Sequence, residues 1–239
     1  MCSVQELAAL NEQCALLSLA DLLIAVRSRF PRAVQETGGN LGGSVILHAS
    51  QAAGCSFPLV WIDTLHHFED TRDYVTQTLP AVYPTLQLRV CRPELASSRA
   101  EFAQLYGDQL WISNEEAYYR HSKIEPLQRC LEALQADAVI TGRRKSQGGA
   151  RAALPLVEQD AAGRVVVNPL ASWSYAEVQR YVEQHRVPHN PLHEQGYRSI
   201  GDAHSTRPTH SAEPERSGRF VNSATRRTEC GIHANRATQ

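Results

Sequence analysis

Apolar residues form two kinds of pattern along the chain, one typical of helices and one typical of buried strands. A set of leucines at roughly helical spacing predicts a helix over 4–28, and Pro31 marks a break after it. Short, nearly continuous apolar runs predict strands of a parallel sheet at 44–48, 59–62, 86–91, 137–141 and 164–168.

Helical patterns lie between and after these predicted strands. Residues 69–78 and 124–135 have helix-like sequences, and 173–186 has apolar residues at helical spacing. Ser174 is suited to cap the last of these helices, and Glu177 three residues later completes a capping box. Strands that alternate with helices predict an α/β fold, with a doubly wound, mostly parallel sheet and flanking helices.

The character of the chain changes after about residue 201. Residues 202–229 are rich in Ser, Thr, Arg, Pro and His and have almost no apolar periodicity. We therefore predict an α/β domain over 1–201, with a helical segment at 1–30, and a flexible C-terminal tail over 202–239. A tail without function is one interpretation. Its cations and its single cysteine indicate a functional segment instead: Arg207, Arg216, Arg219, Arg226, Arg227 and Cys230.

Composition and charge limit the functional classes. The formal net charge of −1 gives no global field that would attract a nucleic acid polymer or a membrane surface. We expect neither a signal peptide nor a membrane span, because the sequence has no basic leader with an apolar run and no stretch of about 18 apolar residues. The six cysteines form no CxxC, which argues against a zinc site and a disulfide framework. Scattered cysteines without a leader or a membrane span predict a protein of a reducing compartment, the cytoplasm.

Two segments near predicted strands contain groups that could contact a nucleotide. The stretch from Thr37 to Ser44 contains four glycines, whose backbone N–H groups can approach phosphate oxygens closely. A loop that needs glycine only for its shape would look similar, so phosphate binding and a plain loop both remain open. Asp63 and Thr64 follow the predicted strand 59–62 directly, and ligands of open parallel sheets bind beyond the carboxyl ends of strands.

A third segment, TGRRKSQGGAR at 141–151, follows another predicted strand. Its four cations, which lie within nine residues and beside glycines, are Arg143, Arg144, Lys145 and Arg151. A solvated basic loop is the plain interpretation. The position at a strand end favours a clamp for a polyanion, because guanidinium groups pair with phosphate in a bidentate manner.

Cys230 is the strongest candidate for a nucleophile. It lies in RRTECGIH at 226–233, where two arginines and a histidine would favour the reactive thiolate form. Glu229 opposes that effect in part, and Gly231 removes bulk beside the sulfur. A cysteine is more often a small buried hydrophobic residue than a nucleophile, but this one lies in the least core-like part of the chain.

Four separated motifs together resemble the thioredoxin-dependent phosphoadenylyl-sulfate reductases, a family of the adenine-nucleotide α-hydrolase-like group. They are IDTLHHF at 62–68, TGRRKSQGGAR at 141–151, NPLHEQGYRSIGDAHSTRP at 190–208 and ECGIH at 229–233. The resemblance extends from about residue 35 to 233, and ECGIH is its most specific motif.

The resemblance implies a reaction and a set of site residues. Phosphoadenylyl sulfate would be reduced to sulfite and adenosine 3′,5′-bisphosphate, with Cys230 attacking sulfur and reduced thioredoxin releasing sulfite. His233 would belong to the catalytic group. The substrate-binding residues would be Thr37, Gly38, Gly39, Asp63, Thr64, Lys123, Arg143, Arg144, Gln147, Arg216 and Arg219. Arg216 and Arg219 would approach the substrate when the tail closes. The sequence does not decide between a monomer and a homodimer.

The resemblance also separates two branches. The adenylyl-sulfate reductases hold an iron–sulfur cluster through a cysteine pair and a CxxC, and this chain has Tyr118-Tyr119 and DAHS at 202–205 in those places. It therefore resembles the cluster-free branch, with no metal and no bound cofactor expected.

One segment departs from the family, since ETGGNLGGSV stands where an SxxFG-like loop is usual. Three alternatives follow: an adenylyl-sulfate reductase without a cluster, a nucleotide-binding relative with impaired catalysis, and an adenylyltransferase. The third fits least well, because Leu41 stands where the ATP-using relatives have aspartate.

Overall fold

The structure is a computed structural model that describes residues 4–210, 212–223, 225 and 227–232. Six strands form one sheet in the order β3-β2-β1-β4-β6-β5. The strands are β1 (Val34–Thr37), β2 (Leu59–Ile62), β3 (Leu88–Cys91), β4 (Ala138–Ile140), β5 (Val157–Gln159) and β6 (Val165–Val167). Every pairing is parallel except that of β5 with β6, so the predicted mostly parallel sheet is confirmed.

Ten α-helices lie in the described part of the chain. They are α1 (Val4–Ala15), α2 (Leu19–Arg29), α3 (Leu41–Ala52), α4 (Glu69–Asp73), α5 (Leu79–Val82), α6 (Arg99–Tyr106), α7 (Leu110–Ser113), α8 (Glu115–Tyr119), α9 (Glu125–Ala133) and α10 (Tyr175–His185). A π-helical turn at Tyr74–Thr78 joins α4 to α5, and another at Arg120–Ile124 joins α8 to α9. None of the helices in the described residues is long and apolar enough to cross a membrane.

Helices cover both faces of the sheet. One face packs against α2, α3 and α10 through residues such as Leu23, Ile46 and Val178. The other face packs against α9 through Leu127 and Leu131. Successive residues of β4 contact the two faces in turn, as the alternation of strand side chains requires. This is the doubly wound arrangement that the sequence predicts.

One predicted strand is wrong. Residues 44–48 lie inside helix α3, and the strand of this region is β1, ten residues earlier. The reason is burial: Val45, Ile46 and Leu47 are all buried, so the helix is apolar on most of its circumference. A short run of buried apolar residues gives the same sequence signal in a helix and in a strand.

The other predicted elements mostly agree with the structure. The strands predicted at 59–62, 86–91, 137–141 and 164–168 correspond to β2, β3, β4 and β6. The helix predicted over 4–28 is two helices, because the Ser18 hydroxyl caps α2 by accepting a hydrogen bond from the Asp21 backbone N–H. The capping box of α10 is present, with Ser174 and Glu177 in the predicted roles.

The strand order places the ends of β1 and β4 side by side. From β1 the chain proceeds outward to β2 and β3, and then returns to the other side of β1 as β4. Such a reversal opens a crevice at the carboxyl ends of the two central strands, where ligands of doubly wound sheets bind. Thr37 ends β1 and Thr141 follows β4, so the two loops predicted to hold phosphate meet at this crevice.

Candidate active site

A cavity lies at the crevice between β1 and β4, and it is lined by both loops and by the C-terminal tail. Nine of the residues predicted from the sequence line it: Thr37, Gly38, Thr64, Lys123, Arg143, Gln147, Arg216, Arg219 and Cys230. The lining also includes residues that were not assigned to the site, among them Glu36, Asn40, His67, Ser199, Ile200 and Glu229, and it includes Arg151 of the predicted polyanion clamp. The candidate nucleophile and five cationic side chains therefore share one cavity.

The first wall is the loop from β1 to α3. The Gly39 backbone N–H donates to the Thr37 hydroxyl at 3.2 Å, which turns the chain sharply after the strand. Asn40 stands at the N-terminus of the 12-residue helix α3 and exchanges two hydrogen bonds with Ile200 at 2.7 and 3.0 Å. The positive end of the α3 dipole thus lies beside the cavity, where it favours an anion.

Two glycines let this loop contact the loop after β4. A Cβ atom on Gly142 would lie 2.9 Å from the backbone of Gly42 and Gly43, and a Cβ on Gly42 would lie 2.8 Å from the Gly142 carbonyl oxygen. Real Cβ atoms do not approach backbone that closely. The two loops therefore touch backbone to backbone. This contact requires glycine at positions 42 and 142, because any side chain there would separate the loops.

Arg143 enters the cavity from the loop after β4. Its Nε donates to the Thr141 hydroxyl at 3.1 Å, and its Nη2 forms an ion pair with Glu158. The Thr141 hydroxyl in turn donates to Asn168 at 2.6 Å. Burial lowers the pKa of Arg143, and the Glu158 carboxylate opposes this shift.

Lys123 enters from the opposite side, on the π-helical turn before α9. Its ammonium lies 2.6 Å from an oxygen of Asp202, which is fully buried and also accepts a hydrogen bond from the Thr64 hydroxyl at 2.7 Å. Burial alone would raise the pKa of Asp202, but Lys123, His67 and His204 together lower it below its ordinary value. Asp202 is therefore a fixed anion that orients the lysine.

The third wall is the C-terminal tail. Arg219 lies against Gly201 and donates to the Ile200 carbonyl oxygen at 2.9 Å. Arg216 donates to the Thr228 carbonyl oxygen at 2.6 Å and lies 3.2 Å from Glu229. Both side chains line the cavity together with Cys230. Burial lowers the pKa of Arg216 to about 10, so it remains a cation at neutral pH.

Three of the predicted residues do not line the cavity. Gly39 faces Thr71 and Asn190. Asp63 pairs with Arg92 at 2.8 Å. Arg144 is buried behind the cavity, where it pairs with Glu215 of the tail at 2.5 Å. The remaining predicted residue, His233, lies outside the described residues.

Arg151 belongs to the predicted polyanion clamp and lines the cavity, although the family resemblance did not assign it to the substrate-binding residues. It follows the GRRKSQ segment on a short 3₁₀ turn at Gly149–Arg151, and it forms two hydrogen bonds with Glu229, at 2.6 and 2.8 Å. The signal was present, because Arg151 is the last cation of the basic motif. Its partner, Glu229, is 78 positions away and cannot be inferred from spacing.

The positions of the cluster cysteines of the sister branch hold other groups here. Tyr118 is buried among aromatic rings, and the Lys123 ammonium lies 5.1 Å from the centre of the Tyr119 ring. Asp202 holds Lys123. Within the described residues no group of three or more His, Cys, Asp or Glu side chains is placed to hold a metal ion.

Two of the described cysteines are partly exposed, Cys130 and Cys230. Cys130 lies on α9, and a hydrogen bond from Cys91 together with Arg89 and Arg129 lowers its pKa to about 7, against the effect of burial. Among the described cysteines it is therefore the other candidate nucleophile, but it does not line the cavity. Only Cys230, among the described thiols, lies with the cations.

Comparisons with known proteins agree with this geometry. Residues 32–208 match a family model described as the phosphoadenosine phosphosulfate reductase domain. A Saccharomyces cerevisiae protein named phosphoadenosine phosphosulfate reductase is 39% identical over 230 residues, which cover 93% of this chain and 87% of that protein. A Halalkalibacterium halodurans protein named adenosine 5′-phosphosulfate reductase is 35% identical over 192 residues, 80% of each chain.

A solved structure resembles the fold as well. The crystal structure of phosphoadenylyl-sulfate reductase from Candida auris, in a phosphate complex, superposes with a TM-score of 0.80 at 38% identity. The match covers 87% of this chain and 98% of that one. This chain therefore shares the mostly parallel sheet and its flanking helices with that structure.

Proposed function

Since the chain belongs to the phosphoadenosine phosphosulfate reductase family, we propose that it reduces 3′-phosphoadenylyl sulfate to sulfite and adenosine 3′,5′-bisphosphate, with reduced thioredoxin as electron donor. One observation carries the proposal. Cys230 lies in the same cavity as Lys123, Arg143, Arg151, Arg216 and Arg219, at the crevice beside the N-terminus of α3.

The first half-reaction is a nucleophilic displacement at sulfur. The Cys230 thiolate attacks the sulfur of the sulfo group, an S–S bond forms, and the S–O bond to the nucleotide phosphate breaks. The products are an S-sulfocysteine and adenosine 3′,5′-bisphosphate. Negative charge grows on the leaving phosphate oxygen, and fixed cations are the groups that stabilise such charge.

The second half-reaction returns the thiol. A thiolate of reduced thioredoxin attacks the Cys230 sulfur of the S-sulfocysteine, the bond from that sulfur to the sulfo group breaks, and sulfite leaves. The second thiol of thioredoxin then attacks the resulting mixed disulfide, which returns Cys230 as a thiol and leaves thioredoxin as a disulfide. Sulfur thus gains the two electrons that the dithiol loses. Cys230 is partly exposed, which gives a protein thiol a route to it. Because the first half-reaction needs a closed site and the second an open one, we propose that the end of the tail moves between them.

Four of the five cations divide into two groups by the part of the chain that carries them. Lys123 and Arg143 belong to the domain and are oriented by buried carboxylates, Asp202 and Glu158. Arg216 and Arg219 belong to the tail and reach the cavity from the other side. We assign the first pair and Gln147 to positioning the nucleotide, and the second pair to the sulfo and phosphate groups near Cys230. His233 is assigned to the catalytic group on the resemblance of ECGIH alone.

A substrate without the 3′-phosphate is the second candidate. Relatives with that name match this chain at 35% over 80% of its length, whereas the relative named for the 3′-phosphate substrate matches at 39% over 93%. The longer match favours phosphoadenylyl sulfate. We also propose that the protein works without a bound cofactor or iron–sulfur cluster.

A sulfite-release assay tests the proposal. Purified protein is given phosphoadenylyl sulfate or adenylyl sulfate, with reduced thioredoxin or without it. We expect sulfite with the first nucleotide and thioredoxin together, and at least about tenfold lower kcat/KM with the second nucleotide, a difference of about 1.4 kcal/mol. Sulfite from neither nucleotide would refute the proposed function, and equal turnover of both would refute the preference.

A further inference from the structure

Three carboxylates pair with four of the five cations of the cavity. Asp202 pairs with Lys123, Glu158 pairs with Arg143, and Glu229 pairs with both Arg151 and Arg216. On the proposed function, the substrate brings a phosphosulfate and a 3′-phosphate into this cavity. A guanidinium edge whose two N–H groups are bonded to a carboxylate cannot also bind an oxoanion in the bidentate manner. Glu229 occupies the Nε–Nη2 edge of Arg151, and Gln147 accepts from its Nη1, so an oxoanion that takes this edge has to displace Glu229.

The three pairs differ in what holds the carboxylate. The Asp202 side chain is fully buried and also accepts from Thr64, and the Glu158 side chain is 7% exposed and also accepts from Asn168. The Glu229 side chain is 31% exposed. Separating a buried pair leaves an unsolvated charge behind, whereas Glu229 can pass directly into water. Glu229 is therefore the carboxylate that leaves at the lowest free-energy cost.

The geometry of Glu229 is that of a bound oxoanion. Its Oε1 lies 2.6 Å from Arg151 Nε, and its Oε2 lies 2.8 Å from Arg151 Nη2, a two-pronged contact of the kind a phosphate or sulfate makes. Its Oε1 also lies 3.2 Å from Arg216 Nη1. The next residue along the chain is Cys230, so any movement of Glu229 moves the thiol with it.

We propose that Glu229 is an internal substitute for the oxoanion of the substrate. In the free protein it neutralises Arg151 and Arg216 and holds the Cys230 segment in place. The oxoanion beside the scissile bond displaces it, takes over the two guanidinium groups and releases Cys230 to approach the sulfur. Cys230 is thus released only by a ligand that places an oxoanion between Arg151 and Arg216. Glu229 therefore determines which ligands activate the site, and it also positions the Cys230 segment in the free protein.

Substitution of Glu229 tests this competition. Glu229→Gln keeps the size of the side chain but removes the charge that competes with the ligand. We expect the Kd of adenosine 3′,5′-bisphosphate, measured by calorimetry, to fall about tenfold, equivalent to about 1.4 kcal/mol. The Kd of adenosine, which carries no oxoanion, should not change. KM for phosphoadenylyl sulfate should fall while kcat does not rise, a split that a merely structural clamp would not produce.

Two further variants serve as controls. Glu213→Gln removes a carboxylate of the same tail that forms two contacts with Arg207, at 2.7 and 3.2 Å, and it does not line the cavity. Its Kd for the bisphosphate should stay within about twofold of wild type. Glu229→Asp keeps the charge and should bind the bisphosphate no more tightly than wild type, which keeps the test valid if the Gln variant folds poorly.

Weaker or unchanged binding of the bisphosphate by Glu229→Gln would overturn the inference, since it would make Glu229 a structural clamp. Tighter binding of adenosine by the same variant would also overturn it. These outcomes are independent of the proposed function, which depends on sulfite release by the wild-type protein. A wild-type protein that releases sulfite, combined with a Gln variant that binds no more tightly, would remove the inference and leave the function standing.

Discussion

The guanidinium of Arg144 and the carboxylate of Glu215 form an ion pair at 2.5 Å, with both side chains almost fully buried. Arg144 follows β4 in the domain, and Glu215 lies in the C-terminal tail, 71 positions later. The pair therefore fastens the tail to the loop that carries Arg143. Gln147 adds a hydrogen bond to the same Glu215 oxygen at 3.1 Å. These two contacts hold the tail against the domain at Glu215.

Loss of one partner of this pair should destabilise the protein strongly. Arg144→Ala leaves the Glu215 charge buried and unpaired, which typically costs about 3–5 kcal/mol. Urea unfolding measures this change. The double variant Arg144→Leu/Glu215→Leu removes both charges and should recover most of the lost stability. If the double variant is as unstable as the single one, the pair is not what holds the tail.

The same double variant separates two roles of Arg144. A direct contact with the substrate would lower kcat/KM by more than about tenfold even where stability is restored. A role in holding the tail through Glu215 would leave KM close to wild type in that variant. Steady-state kinetics on the stability-restored protein therefore decides which role is correct.

The contact of Gly42 with Gly142 should not tolerate a methyl group. Gly142→Ala would place a Cβ 2.9 Å from the backbone of α3, so the two site loops would have to separate. Overpacking of this kind typically costs about 1–3 kcal/mol. Gly38→Ala is the matched control for stability, because its Cβ would meet only a side-chain nitrogen at 3.4 Å. Equal thermal midpoints for both variants would show that the loops are not in contact.

The fold was largely predictable from the sequence, and the error has a physical cause. β2, β4 and β6 are fully buried central strands, so each gives an uninterrupted apolar run that stands out. Helix α3 is buried so completely that its sequence gives the same signal, and it was predicted as a strand. β5 has only three residues, with Glu158 at its centre, and no run of that length is distinctive.

The cations of the candidate site could be predicted from the sequence, but the carboxylates that pair with them could not. Residues next to strand ends carry positional information, because the carboxyl ends of parallel strands meet at one edge. Thr64 and Arg143 could be found in that way, whereas Thr37 was found only through its glycine-rich stretch, because β1 was not predicted. The carboxylates that hold the cations, Asp202, Glu158 and Glu229, come from distant segments and are brought in by tertiary packing. Spacing along the chain contains no signal for such pairs.

Proteolysis should distinguish the two halves of the tail. Residues up to Phe220 are held by the Arg144–Glu215 pair and by an antiparallel bridge between Thr206 and Arg219. We expect trypsin to cleave the free protein after Arg227 before it cleaves after Arg219. Adenosine 3′,5′-bisphosphate should slow the first cleavage, because closure over the ligand orders the chain around Cys230.

Equal cleavage rates at Arg227 with and without the bisphosphate would mean that the end of the tail does not respond to the nucleotide. Cleavage after Arg219 first would mean that the whole tail is loose. Either result would contradict the proposed opening and closing.

Stability should fall as the pH falls from about 6.5 to about 4, because half-buried histidines that stay neutral in the folded protein are protonated on unfolding. Burial, with smaller contributions from His189 and Arg144, lowers the pKa of His193 from 6.5 to about 4. Burial likewise lowers that of His204 to about 4, against the effect of Asp202. Between these values the unfolded chain binds more protons than the folded one, so stability rises with pH.

The urea midpoint at several pH values checks this prediction. His193→Gln should flatten the dependence between pH 4 and 6.5, whereas His210→Gln, at an exposed position, should leave it as in wild type. The contribution of His193 at pH 5 is at most about 2 kcal/mol. A midpoint that does not change over this range would contradict the burial of these rings as neutral groups.

The identity of the nucleophile is the central claim, and trapping of the intermediate tests it most directly. The protein is mixed with phosphoadenylyl sulfate in the absence of thioredoxin, and its peptides are analysed by mass spectrometry. We predict that one SO₃ group is attached to Cys230 for each adenosine 3′,5′-bisphosphate released, that reduced thioredoxin removes it as sulfite, and that Cys230→Ser still binds the bisphosphate but acquires no label. An SO₃ group on Cys130 or another thiol, or sulfite formation by the Ser variant, would contradict the account.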